Sequence, residues 1–258
     1  MQIDDFVAGL EGIAPTRLAG AWDNVGLLLE GTRPIRTVGV AIDLTGVVAD
    51  ELLDAGCDAI VSYHPPIFGG VKRLVQRDPR SRTLLRLVRE GVHVYAPHSA
   101  LDAARGGMAE WLLEPFGDVH DVAPIAPDAL VPELGAGRLA TLTAPRTLGE
   151  LAPFVREHLG LSHVRLAGAD DTLVRTVAVC PGAGGSLFQG VSADLLLTGE
   201  MRHHDVLAQV ERGGAVLLTD HTNTERGFLG RYAERVRSVC GVEVVVSQED
   251  ADPLRVVG

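Results

Sequence analysis

Thr37-Val38-Gly39-Val40-Ala41-Ile42, then the periodic segment Thr45 to Leu53, then Ala59-Ile60-Val61-Ser62 is the stretch that decides the fold. Two short runs of β-branched and small residues flank a segment with helical spacing. Strand, helix and strand at this interval define a right-handed βαβ unit with parallel strands. The second strand runs directly into Tyr63-His64-Pro65-Pro66, where two prolines stop it and stiffen its exit. The carboxyl end of a parallel strand is where such sheets place ligand groups, which singles out His64.

The same pattern recurs outward from this unit. Upstream, Ile3 to Ile13 reads as an amphipathic helix, and Trp22-Asp23-Asn24-Val25 as a polar turn feeding a short strand through Glu30. Trp22 and Asp23 suit either a packed turn or a cleft lining. Downstream, Arg80 to Arg89 is an arginine-rich helix with Leu84, Leu85 and Val88 inward. Gly91 to Ala96 is a strand that ends in Pro97-His98-Ser99-Ala100-Leu101-Asp102, and Met108 to Leu113 a helix. From Asp118 to Leu134 the pattern weakens, and Pro124, Pro127 and Pro132 mark a loop or a crossing between lobes.

A second βαβ-type half follows, with strands at Gly137 to Leu142, Val164 to Ala167, Leu173 to Val179, Asp194 to Leu197 and Ala215 to Leu218. Helices are expected over Leu148 to His158, His203 to Val210 and Thr224 to Val239, with a last strand over Val242 to Val246. The glycine turn Val179 to Ser186 reads either as an anion cradle or as a tight strand-to-helix turn; it matches no nucleotide-binding fingerprint. The run Ala215 to Leu218 stops abruptly at Thr219-Asp220-His221-Thr222-Asn223-Thr224-Glu225, just after Thr198-Gly199-Glu200 and Arg202-His203-His204. Three strand exits carrying His64, then His98 and Asp102, then His221 and Glu225 form a repeated design. Imidazole and carboxylate donors suit Zn, Mn, Fe, Co or Ni as one or two divalent ions. For His203 and His204 the other reading is a solvated first helical turn.

Bulk properties bound the rest. The chain of 258 residues is 46% hydrophobic and 22% charged, which suits a globular α/β protein. A net charge of −11 argues against a general nucleic-acid binder, though not against a small phosphorylated ligand beside a metal cation. Cys57, Cys180 and Cys240 are odd in number and widely spaced, as free thiols of a reducing compartment are. The start of the chain lacks the features of a signal peptide, and no apolar run reaches the length of a membrane span. The expected location is therefore cytoplasmic, with no membrane partner.

These motifs together resemble the Nif-three-like family, whose members are also described as GTP cyclohydrolase I type 2-like and NGG-interacting factor type. Trp22-Asp23-Asn24-Val25-Gly26-Leu27 is similar to the family's opening motif, Ser62-Tyr63-His64-Pro65-Pro66 to its first metal motif and His98-Ser99-Ala100-Leu101-Asp102 to its second. Gly182-Ala183-Gly184-Gly185, Thr198-Gly199-Glu200 and His221-Thr222-Asn223-Thr224-Glu225 complete the order. The resemblance implies a single domain over 1–258 with two similar α/β lobes, roughly 1–125 and 126–258, and mixed, largely parallel sheets. It also implies a homo-oligomeric ring, often a hexamer, with His64, Asp102 and Glu225 on one metal and Glu225 with His221 on a second. Many bacterial members carry two consecutive histidines where this chain has Tyr63-His64, so one ligand of the second ion is replaced by a phenol, as in eukaryotic members.

The functional expectation is a metal-dependent hydrolase acting on a small molecule such as a nucleotide or phosphoester, with Glu200, His203 and His98 as proton-handling residues. Two other readings are a non-catalytic metal-binding regulator or ring scaffold, and an enzyme of secondary metabolism that reuses the metal site.

Overall fold

In a computed structural model that describes residues 1–256, the chain is a mixed α/β protein with mixed sheets. The last two residues of the expected 1–258 domain lie outside the described span. The chain divides into two compact units, residues 1–101 with 228–258, and residues 102–227. The expectation drew one boundary near residue 125. Instead the chain enters the second unit at Asp102 and returns to the first at Phe228. No helix among the described residues is long and apolar enough to cross a membrane.

The first unit opens with α1 (Ile3–Ile13), whose Phe6, Leu10 and Ile13 are buried at helical spacing. Strands β1 (Gly26–Leu29), β2 (Thr37–Ala41), β3 (Ala59–Ser62) and β4 (His93–Ala96) follow, with α2 (Gly46–Asp54) and α3 (Pro79–Glu90) as crossovers. Thr45 caps α2 by accepting from Val48 N–H, and Asp78 caps α3 by accepting from Ser81 N–H. Both helices cover the sheet. Val48, Leu52 and Leu87 pack with Ala41, Ile60 and Val94 in one core. Leu84 and Leu87 are the inward residues of α3, whereas Val88, expected inward, is 53% exposed. The inward stripe therefore advances by three residues, as a helix of 3.6 residues per turn requires.

Beyond β4 the chain makes a short helix, α4 (His98–Ala103), and then enters the second unit. There α5 (Met108–Trp111) is shorter than the expected helix, ending in a 3-10 turn at Glu114–Phe116. Strands β5 (Val119–Ala123), β6 (Ala126–Pro127), β7 (Gly135–Ala136) and β8 (Arg138–Thr147) occupy the region expected to be loop and a shorter strand. Then come α6 (Leu148–His158), β9 (Arg165–Ala167), β10 (Leu173–Cys180), β11 (Leu195–Thr198), α7 (His203–Glu211) and β12 (Ala215–Leu218). α6 starts on a full capping box, Thr147 with Glu150. The sheet runs β5-β8-β10-β11-β12-β9; its centre, β10 to β12, is parallel and its flanks antiparallel. Ala178, Phe188, Leu196 and Val216 form a core on this sheet.

The expected helix from Thr224 does not begin there. Two 3-10 turns, Thr222–Thr224 and Arg226–Phe228, precede α8 (Leu229–Cys240). α8 packs on α1 and leads to β13 (Glu243–Val246), which pairs parallel with β2. The first unit's sheet thus runs β1-β4-β3-β2-β13, parallel except for β1.

Candidate metal centre

In the first unit, the exits of β3 and β4 and the turn before β1 hold the candidate residues. After β3 the chain stays beside β2: Tyr63 N–H donates to Ala41 O at 2.8 Å and His64 N–H to Ile42 O at 2.9 Å. The two residues are thereby pinned before Pro65. His64 Nδ1 lies 2.9 Å from Asp43 Oδ1. A neutral imidazole that donates Nδ1–H to this carboxylate presents Nε2 as its ligating atom, the usual arrangement behind a metal-bound histidine. Asp43 was not foreseen. Its only signal was its place directly after an apolar strand.

His98 lies at the β4 exit with φ +32°, a left-handed conformation that a non-glycine residue seldom adopts. Its Nδ1 is 2.8 Å from Asp23 Oδ1, and Asp23's side chain is 0% exposed. Asp23 also accepts from Ser99 Oγ, Ser99 N–H and Asn24 N–H. Burial pushes its carboxyl up, but the hydrogen bonds from His98 and Ser99 and the His98 charge prevail and hold it below the usual carboxylate range. The His98 ring meets those of Tyr63 and His64 edge-on, each at 5.4 Å, and that of Trp22 at 5.8 Å. Asp23 is thus a buried carboxylate of the turn that also orients His98, and Trp22, 65% exposed, packs its ring edge-on against the same imidazole.

In the second unit the glycine turn after β10 is stitched to the exits of β11 and β12. Thr198 Oγ1 donates to Gly182 O and accepts from Gly184 N–H, both at 2.9 Å. Thr224 Oγ1 accepts from Gly182 N–H at 2.8 Å and donates to His221 O at 2.7 Å. The N–H groups of Gly182 and Gly184 are thus used inside the protein, and the turn serves as a structural brace. What it braces is the pair His221 and Glu225. His221 Nε2 stands 3.6 Å from Glu225 Oε1, and His221 Nδ1 3.4 Å from Glu200 Oε2. Glu225 is 1% exposed. A Cβ on Gly182 would come within 2.9 Å of His221 Nε2 and 3.0 Å of Glu225 Oε1, and its φ of +60° independently calls for glycine. Room beside both donor atoms depends on that missing Cβ.

Asp102 is not grouped with His64, His221 and Glu225, but its charge reaches Cys180, as that of Glu225 does. Burial pushes the Cys180 thiol well above its ordinary range, and the charges of Asp102 and Glu225 push it further. Two carboxylates thus act on one buried thiol. His203 stands apart from this group. At the start of α7 it meets the His204 ring edge-on at 5.3 Å and lines a recess with Arg165, Met201 and Leu218.

Histidines and carboxylates released at the strand exits of an α/β protein define a candidate metalloprotein whose donors sit on backbone held by strand ends. The family model Duf34/NIF3 (NGG1p interacting factor 3) matches residues 1–253, and the chain belongs to that family. It is 40% identical over 262 residues to Protein NIF3 homolog of Schizosaccharomyces pombe, covering 95% of this chain and 94% of the relative. It is 28% identical to GTP cyclohydrolase 1 type 2 homolog of Clostridium perfringens over 100% of both chains. Among solved structures, a Bacillus cereus protein related to NIF3 shares the fold, with a TM-score of 0.85 at 20% identity over 98% of each chain.

Proposed function

We propose that this chain is a metal-dependent hydrolase of a nucleotide or phosphoester, with His64, His221 and Glu225 as metal ligands and Asp102, from its sequence motif, as a fourth. One observation carries the reading: a buried carboxylate and an imidazole are held side by side, with a glycine keeping the space against both donor atoms clear. His64, braced by Asp43, offers Nε2 in the same manner. A divalent ion on such donors supplies a Lewis acid that activates water near neutral pH. The name of the Clostridium perfringens relative agrees with hydrolytic chemistry on a nucleotide.

The chain's own residues divide the remaining work. Asp23 fixes the ring of His98, so that Nε2 is the atom able to take or give a proton. Glu200, half-exposed beside His221, is a second proton carrier; His203, at the first turn of α7, lines a separate recess and would act only on a substrate that extends into it. Tyr63, almost fully buried with its ring against His64, replaces an imidazole by a phenol able to hydrogen-bond within the site. One ion, held chiefly by Glu225, is accordingly the minimal complement. Three free cysteines suit a cytoplasmic location, and a homo-oligomeric ring is part of the same proposal.

A second reading is a metal-binding ring scaffold that docks partner proteins; it is favoured by the loss of an imidazole at Tyr63 and by the interaction recorded in the family's name. Turnover separates the two. Purified, metal-analysed protein is assayed on GTP and a panel of phosphoesters beside Asp102→Ala and Glu225→Ala. Activity in the wild type that both substitutions abolish is expected; full activity in both variants sinks the hydrolase reading.

A further inference from the structure

A groove of about 600 Å³ lies between α2 and α3 in the first unit, and His64 is the one proposed ligand that enters it. Arg80, Arg82 and Arg86 of α3 form one side, and Thr45, Gly46 and Val47 at the first turn of α2 the other. In a chain of net charge −11, three guanidinium groups on one wall stand against the background.

The local acids are already committed. Asp50 pairs with Arg86, Asp43 is turned to His64, and Asp78 caps Ser81 N–H. Arg80 and Arg82 form no ion pair among the described residues, although both charges reach the Asp78 carboxylate; the one hydrogen bond of Arg82 is to Gln76 O, at 3.4 Å. Opposite them, Thr45 Oγ1 takes the N–H of Val48, and those of Gly46 and Val47 meet no acceptor among the described residues. Arg80, Arg82 and the first turn of α2 line one space, together with Asp43 and Asp50, whose charges are met by His64 and Arg86; cations and free helix-start N–H groups are the donors that a phosphate needs.

We infer that this groove is a phosphate subsite: Arg80, Arg82 and the first amide groups of α2 hold the phosphate or polyphosphate end of a ligand beside His64. The link to hydrolysis rests on the function proposed above, but the binding itself needs no metal.

Calorimetric titration of the whole chain, stripped of metal with a chelator and dialysed, tests it with inorganic tripolyphosphate and with GTP. Wild-type protein is expected to bind both. Arg80→Gln/Arg82→Gln is expected to lose at least about tenfold in affinity for each, the scale of a lost charged hydrogen bond. Arg89→Gln, at the far end of the same helix, is the control and retains affinity. Tighter binding of GTP marks a nucleotide as the ligand, and equal binding marks the phosphate chain alone; both support the subsite. Absence of binding by the wild type, or unchanged affinity of the double variant for either compound, overturns it. Since no metal is present, this outcome is independent of whether Glu225→Ala abolishes turnover.

Discussion

At the residue scale, the sequence showed which side chains stand at strand exits but not what stands behind them. His64, His98, Asp102, His221 and Glu225 were legible because a β-branched or apolar run ended at each. Asp43 and Gly182 were not legible in their roles. A carboxylate behind an imidazole and a glycine spared for space are facts of contact, and no spacing rule encodes them. Asp23 was left between two meanings, and its contact with His98 was visible only in the structure.

That contact predicts a pH effect. Asp23 is held below the usual carboxylate range, whereas in the unfolded chain it titrates near ~3.9. Its stabilising contribution is thus fully present above that value and is lost as the pH falls through the folded one. Thermal melts of wild type and Asp23→Asn should differ at neutral pH and converge below about pH 4. A gap that stays constant with pH would contradict this.

At the element scale, the parallel βαβ pattern was readable because fully buried strands appear as continuous apolar runs. Strand β5 was missed for the opposite reason: most of it is exposed, so it shows no buried alternation. The helix expected from Thr224 begins late because Thr224 Oγ1 donates to His221 O and the chain turns in 3-10 steps around Glu225. Local side-chain bonds of this kind compete with helix formation.

Strand β8 carries a second hidden feature, Arg138, a charged residue only 1% exposed. Its guanidinium donates to Gly135 O, Gly137 O and Glu110 Oε1 at 2.7, 2.7 and 2.9 Å, and to Ala103 O at 3.3 Å. Residues 103–110 are thereby bound to the second unit, which explains why the unit begins at Asp102 and not near residue 125. Arg138→Met strands buried carbonyls and breaks the pair with Glu110, so a loss of about 3 kcal/mol is expected in urea denaturation. An unchanged midpoint would remove this explanation.

At the scale of the whole molecule, the α/β class was legible and the course of the chain was not. β13 pairs with β2 across about two hundred positions of sequence, and α8 returns to pack on α1. Periodicity reports which face of an element is buried, but not the partner that buries it. The family's motifs supplied the connection between distant ligands that spacing could not. The central claim of the proposed function concerns the most buried of these residues: Glu225 is the ligand on which metal binding depends.

Metal content measured by inductively coupled plasma mass spectrometry after equilibrium dialysis tests this claim most directly. The wild type should hold at least one divalent ion per chain, and Glu225→Ala none. A wild-type stoichiometry retained in Glu225→Ala would contradict the account.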